Sequence, residues 1–260
     1  MMRLLSRLAP FALGALALAL WEGLTRLYAV PVYVLPGPLL IAETLWRDGA
    51  SLLGALWITL KITGLALAAA ALGGVLLAVV MAQSRLIERS LLPYAVIAQV
   101  TPVVAIAPLI IIWADDTTLA LVLCAWIVAF FPIVAATTTG LNAADKNLRD
   151  LFRLYGASRW QSLRLLRAPA ALPYFLTGLR VSGGLSLVGA VVAEFVAGTG
   201  GAETGLAFRI LESGYRLQIP RLFAALTLLA LAGVLIYAAL DLLSRLLLRR
   251  WHDSALKEPG

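Results

Sequence analysis

Lys61 and Glu194 are ionisable residues inside otherwise apolar runs, and they fall at similar depth from the same end of their runs. A charge left alone in a membrane interior is costly, so such groups pair or line a solute path. Gly183, Ala190 and Glu194 share one helical face at 100° per residue, and small residues mark close helix packing. The expectation is that Glu194 meets Lys61 near that shared end of their runs, where the pair would line a solute path. Other chemistry is scarce. His252 is the only histidine and Cys124 the only cysteine, so neither a His-ligated or Cys-ligated metal site nor a disulfide framework is expected. No GxxxxGK[ST] phosphate loop is present, so the chain brings no ATP site of its own and no cofactor is expected.

These groups must be held by membrane helices. The 260 residues are 62% hydrophobic and only 13% charged, about half the charge of an ordinary soluble domain. Mean hydropathy is +0.93. The class is an all-α polytopic membrane protein, read as one transmembrane domain over 1–260. Six spans are expected, at about 9–29, 55–81, 92–113, 118–138, 174–198 and 222–242, each near the roughly 20 residues that cross the hydrocarbon. The first resembles a signal peptide in its Arg3, Arg7 and Ala17-Leu18-Ala19, but its apolar run continues past Trp21, which favours a retained helix. Pro102 and Pro108 should kink the third span. Arg180 should snorkel towards the cytoplasm.

With the N-terminus inside, 14 Lys/Arg fall in inner segments and 5 in outer ones. The positive-inside rule then places both termini in the cytoplasm. The net charge of +7 belongs to those loops and is no nucleic-acid footprint. On the outer side, 39–46 suits a short helix lying in the interface with Trp46 as anchor. A second outer helix follows Thr199-Gly200-Gly201, with Leu206, Ile210 and Leu217 on its apolar side and Arg209, Glu212 and Arg216 opposite.

The inner loop 142–173 is the most structured polar stretch. Lys146, Asp150 and Arg153 recur at helical spacing beside Leu151, Leu154 and Tyr155. Gly156 supplies a helix C-terminus. Ser158 and Gln161 match a capping box that starts a second helix. Pro169 should end that helix, and Pro173 should open the next span. A topology signal needs only charge; two capped helices imply a docking surface for a partner.

This loop resembles the cytoplasmic signature of the permease subunits of bacterial binding-protein-dependent ABC importers: Glu-Ala-Ala, three residues, Gly, nine residues, Ile-x-Leu-Pro. Asp150-Leu151-Phe152, Gly156 and Leu166-Arg167-Ala168-Pro169 keep that spacing, with Asp for Glu, Leu-Phe for Ala-Ala, and Leu and Ala in the last tetrad. The run GASRWQSLRLLRAPAALPYFLTGLRVSGG, with PVVAIAPLIIIWADD, FFPIVAATTTGL and VVAEFVAG, is similar to the nitrate, sulfonate and taurine branch, which also holds permeases for pyrimidine precursors and riboflavin. The resemblance implies an inner-membrane permease, itself no enzyme. It implies as partners two ABC ATPase subunits, a solute-binding protein, a second permease copy and membrane lipid. It implies ATPase docking through Asp150, Leu151, Phe152, Gly156, Ala157 and Pro169. The cargo it suggests is a small organic anion such as a sulfonate, nitrate or taurine, or alternatively a pyrimidine or riboflavin-type vitamin precursor. An ATP-independent secondary transporter is the alternative of a different class, though that class tends to show internal repeats, and none is evident here.

Overall fold

The computed structural model describes residues 2–198 and 204–249. His252, Lys257 and the Thr199-Gly200-Gly201 opening lie outside the described residues. Every element among those described is helical: α1 (Met2–Leu27), α2 (Pro38–Met81), α3 (Arg85–Val100), α4 (Val103–Trp113), α5 (Thr117–Asn142), α6 (Lys146–Leu154), α7 (Arg159–Ser162), a π-helical turn (Leu163–Arg167), α8 (Ala168–Ala197), α9 (Leu206–Tyr215) and α10 (Ile219–Leu248). By length and composition, four stretches can cross a membrane: Pro38–Met81, Thr117–Asn142, Arg159–Ala197 and Ile219–Leu248. Val103–Trp113 is a shorter apolar helix. Of the six expected spans, the second, fourth and sixth fall within those four, the fifth overruns Arg159–Ala197 by one residue, and the first is helix α1. The third is divided between α3 and α4, because Pro102 holds Thr101 in extended backbone at φ −71, ψ 121. Pro108 is carried inside α4 without a break.

The chain forms two compact units. The first comprises Met1–Ile58 and Thr199–Leu231. Its core gathers Ile41, Leu52, Ala55, Leu206, Ile210, Ala224 and Ala225, with the Trp21 and Phe223 rings 6.2 Å apart beside it. The turn into α2 is held by Glu22, whose carboxylate accepts from the Leu39 N–H at 3.1 Å and from Arg26 Nε at 2.6 Å. A Cβ at Gly37 would lie 2.6 Å from Glu22 Oε2, so any other residue there would push this carboxylate aside. The short interfacial helix expected at 39–46 is instead the start of the 44-residue α2. The polar residues Arg47 and Asp48 do not break a helix, and no proline follows Pro38 within it. In α9, Leu206 and Ile210 are buried as expected, but Leu217 lies past the helix end, exposed and at φ +55. The opposite side is ionic: Glu212 binds Arg209 at 2.9 Å and Arg216 at 3.0 Å, and Arg221 lies 3.6 Å from Asp48.

The second unit comprises Thr59–Gly198 and Ala232–Gly260. Its centre is the pairing of α5 with α8, which depends on residues too small to hold the backbones apart. A Cβ at Gly178 would lie 2.9 Å from the Pro132 carbonyl oxygen, and one at Gly189 2.8 Å from Ala125 Cα. Around that contact Ala70, Ala129, Ile133, Leu176 and Leu179 form the core. Asp115 and Asp116 lie in the short turn between α4 and α5, with Asp116 capping α5 by accepting from the Thr118 N–H at 2.9 Å.

Candidate docking loop and charged groups of the spans

The loop element is built from backbone hydrogen bonds that its sequence dictates. Asp145 caps α6, its Oδ1 accepting from the Leu148 N–H at 3.0 Å. At the other end Gly156 takes φ +68. Its N–H donates to the Arg153 carbonyl at 3.0 Å, and the Ala157 N–H donates to the Phe152 carbonyl at 2.9 Å. These two bonds are the paired closure of a Schellman motif, which needs a residue in the left-handed region at the glycine position. Ser158 then opens α7 with a complete capping box: its N–H donates to Gln161 Oε1 at 2.7 Å, and its Oγ accepts from the Gln161 N–H at 3.2 Å. Asp150, Leu151, Phe152, Gly156 and Ala157 are thereby brought together on α6 and its closing turn. On α6, Leu148, Leu151, Leu154 and Tyr155 form an exposed stripe, while Arg149 and Phe152 turn to a different, half-buried side. Asp150 is exposed and lies 3.8 Å from Arg153.

Pro169 is not part of that cluster, and it does not end the helix. The Ala168 N–H bonds back to the Leu163 carbonyl, five residues away, so Leu163–Arg167 forms one π turn and the helix runs on into α8. A proline inside an α-helix loses its own bond and crowds the carbonyl four residues earlier. The wider π turn immediately before Pro169 makes room, so the ring is absorbed where a break was expected. Pro173, expected at the head of a new helix, also lies within α8.

Arg167, which in the sequence is one basic residue among six in this loop, is the best-anchored side chain of the region. Its Nε donates to the Leu141 carbonyl at 2.9 Å, one NH2 group to the Ala82 carbonyl at 2.8 Å and the other to Asn142 Oδ1 at 2.9 Å. Those carbonyls are at the C-terminal ends of α2 and α5, where backbone acceptors lack helical partners and a cation is favoured. Asn142 passes the link on by donating to Glu88 Oε1 at 3.3 Å. Nothing in sequence spacing marks Arg167 for this task, because both helix ends it bonds are distant in the chain.

The structure does not bring Lys61 and Glu194 together. Glu194 is 3% exposed and accepts from Thr59 Oγ1 at 2.8 Å, whereas Lys61 is exposed and enters no ion pair among the described residues. Residues two positions apart on a helix differ by about 200° around its axis, so with Thr59 turned to Glu194, Lys61 turns away. Gly183, Ala190 and Glu194 are all buried, as their shared face led one to expect. Arg180 has partners on α10: it binds Asp241 at 3.0 Å, donates to Ser244 Oγ at 3.1 Å and lies 5.9 Å over the Tyr237 ring. Asp241 also accepts from Arg245 at 2.7 Å.

Two cavities adjoin the loop. One, of 780 Å³, is strongly basic and lies between α6–α7 and the ends of α2 and α5. The other, of 480 Å³, has apolar walls of Met81, Val96, Phe131 and Val134, with Gln99 and Thr138 as polar groups.

A family described as "Binding-protein-dependent transport system inner membrane component" matches residues 70–253. Among curated proteins, the riboflavin transport system permease protein RibX of Chloroflexus aurantiacus is 36% identical over 92% of this chain and 88% of that protein. The formylaminopyrimidine transport permease protein ThiX of Halalkalibacterium halodurans is 31% identical over 95% of this chain and 98% of that protein. Among solved structures, an amino acid ABC transporter crystallised with histidines shares the fold at a TM-score of 0.64 and 19% identity, covering 78% of this chain and 97% of that one.

Proposed function

Because the chain belongs to the binding-protein-dependent transport system inner membrane components, we propose that its α6–α7 hairpin is the surface on which the ATPase subunits of its ABC importer sit. The chain is the multi-pass inner-membrane permease of such an importer, and ATP hydrolysis lies in a separate subunit. It works with an ABC ATPase and a solute-binding protein.

The observation that carries the docking reading is the Schellman-closed, box-capped pair α6–α7, which projects Leu148, Leu151, Leu154 and Tyr155 into the open. An exposed apolar stripe on a capped amphipathic helix is a helix-in-groove ligand. Asp150, Leu151, Phe152, Gly156 and Ala157 form or shape this surface. Pro169 acts at a distance, through the π turn that orients the hairpin on α8. We assign the whole chain, 1–260, to one permease unit that pairs with a second copy, with both termini and 142–173 in the cytoplasm. Leu13, Leu16, Leu18 and Leu20 on α1 are each more than half exposed, which suits contact with lipid and would be costly in water. Glu194 acts at the outer end of the pathway through Thr59, with Lys61 on a separate face.

The cargo that fits best is a small neutral heterocycle of the vitamin-precursor class. The 480 Å³ cavity is apolar with amide and hydroxyl groups, and among the described residues Glu88 is its one charged lining group and no cation lines it. The relatives named for riboflavin and formylaminopyrimidine point the same way. The exposed ammonium of Lys61 favours the second reading, a small organic anion such as a sulfonate. The test is uptake into proteoliposomes holding the permease, its ATPase and its binding protein. Uptake of labelled riboflavin or a pyrimidine precursor, with no uptake of taurine, is expected. Uptake of taurine alone reverses the cargo assignment, and uptake without ATP overturns the importer reading.

A further inference from the structure

The 780 Å³ cavity has no task in the reading above. Arg149, Arg153, Arg159 and Arg167 line it, and among the described residues Glu88 is its single acidic lining group. Arg167 is committed to helix ends, and Arg153 has Asp150 at 3.8 Å. Arg149 and Arg159 enter no ion pair among the described residues. Guanidinium groups that converge on one space repel each other, and a space of this volume is of ligand size. The chemistry that relieves the repulsion is an oxyanion, and the planar fork of arginine matches phosphate oxygens in pairs. Ser162, Ser84 and Gln83 also line the space and supply hydroxyl and amide groups of the kind such an anion accepts from. Depth adds to this. Arg167 bonds the terminal carbonyls of α2 and α5, so the cavity lies at the polar boundary of two spans, where headgroups lie.

We propose that this cavity is a binding site for a phosphate-bearing anion, supplied by the headgroup of an anionic phospholipid or by free phosphate. It faces the Arg149–Phe152 side of α6 and not the exposed leucine stripe, so an occupant supports the hairpin from behind and leaves its outer surface open. The proposal needs the membrane assignment of the chain and does not depend on the docking role of α6.

The test is the thermal unfolding midpoint of the detergent-purified permease–ATPase complex, titrated separately with short-chain phosphatidylglycerol, short-chain phosphatidylcholine and inorganic phosphate. Phosphatidylglycerol should raise the midpoint and phosphatidylcholine should not. An equal rise with inorganic phosphate identifies free phosphate as the source, and no rise with it identifies the lipid. In the Arg149→Gln/Arg159→Gln pair the half-saturating anion concentration should rise roughly 30-fold, since each basic group near a surface contributes about a factor of five. The Arg149→Lys/Arg159→Lys pair should retain most of the response. Should the glutamine pair not assemble, Arg159→Gln alone, on the exposed start of α7, should show about a fivefold rise. An unresponsive wild-type complex, or a glutamine variant that responds like wild type, overturns the site. ATPase co-purification at wild-type level in the same samples keeps this outcome separate from failure of the docking assignment.

Discussion

Gly156 combines a left-handed φ of +68 with open space where a Cβ would stand. Its substitution therefore acts through the backbone alone, costing about 1–2 kcal/mol in that conformation for a residue with a Cβ. Gly156→Val should leave the protein in the membrane but loosen the Schellman turn, lowering ATPase co-purification and solute-stimulated hydrolysis together. Wild-type values of both would remove the hairpin from the docking surface. This residue was legible in the sequence because its reason is local: Gly156, two residues before the Ser158 that pairs with Gln161 in a capping box, is a stop followed by a start. Glu194 was legible only in part. Depth in the span and a small-residue face correctly implied burial, yet depth says nothing of which side of α2 a residue occupies, and Thr59 rather than Lys61 is on the facing side. A double-mutant cycle separates the two. Thr59→Ala and Glu194→Gln should be less than additive in uptake rate, while Lys61→Gln and Glu194→Gln should add. Coupling of the Lys61 pair would mean that the carboxylate turns to the ammonium during transport.

At the scale of elements, local signals placed the caps of α6 and α7 but did not decide which prolines a helix would carry. The rule that proline ends a helix misplaced the boundary at Pro169 because a π turn absorbs the ring, while at Pro102, where only a kink was expected and no such turn precedes it, the helix breaks outright. Arg167 clasps the two helix ends on which that π turn rests. Arg167→Lys keeps the charge but can retain only part of three directed bonds. Each bond to a charged group contributes roughly 1.5–3 kcal/mol, nearer the low end for a half-exposed guanidinium. The thermal midpoint of the complex should fall, and amide exchange at the ends of α2 and α5 should quicken before that of α1. Exchange that quickens evenly would mean a general loss of stability. In α9, the hydrogen bond from Arg209 holds the Glu212 carboxyl below its usual 4.5, against the opposing effect of burial and with help from Arg216 and Arg221. A lowered carboxylate stabilises the fold above its unfolded value and loses that contribution as pH falls through the lowered one. Acidification to about pH 5 should therefore leave α9 protected from amide exchange, and protection should be lost only below the ordinary glutamate range. Loss of protection already at pH 6 would show that the ion pairs do not hold the helix.

For the molecule as a whole, orientation is an expectation from charge bias, and the structure supplies better reporters to test it than the sequence could. Ser213 looks like an outer-loop position, but it is 1% exposed, whereas Tyr215 is 81% exposed. Single cysteines at Tyr215 and Ser158, in a Cys124→Ala background, should differ in intact cells. An impermeant maleimide should label Tyr215→Cys and spare Ser158→Cys. The reverse pattern would invert the chain and remove the cytoplasmic docking surface. The helical class and four of the expected crossings were legible because hydropathy is additive along the chain. The length of α2 and the continuity from α7 to α8 were not, since both depend on what a helix does at a residue that permits either outcome. That continuity has a mechanical consequence. Arg159–Ala197 is one helical run, held at Arg167 near one end and joined to α2 through Glu194 near the other. The 27 residues between those points make a lever arm of roughly 40 Å, so a tilt of about 5° about Arg167 moves Glu194 by about 3.5 Å. A swing of that size exceeds the tolerance of a hydrogen bond, and a modest rocking of the loop is enough to make or break the latch between Thr59 and Glu194.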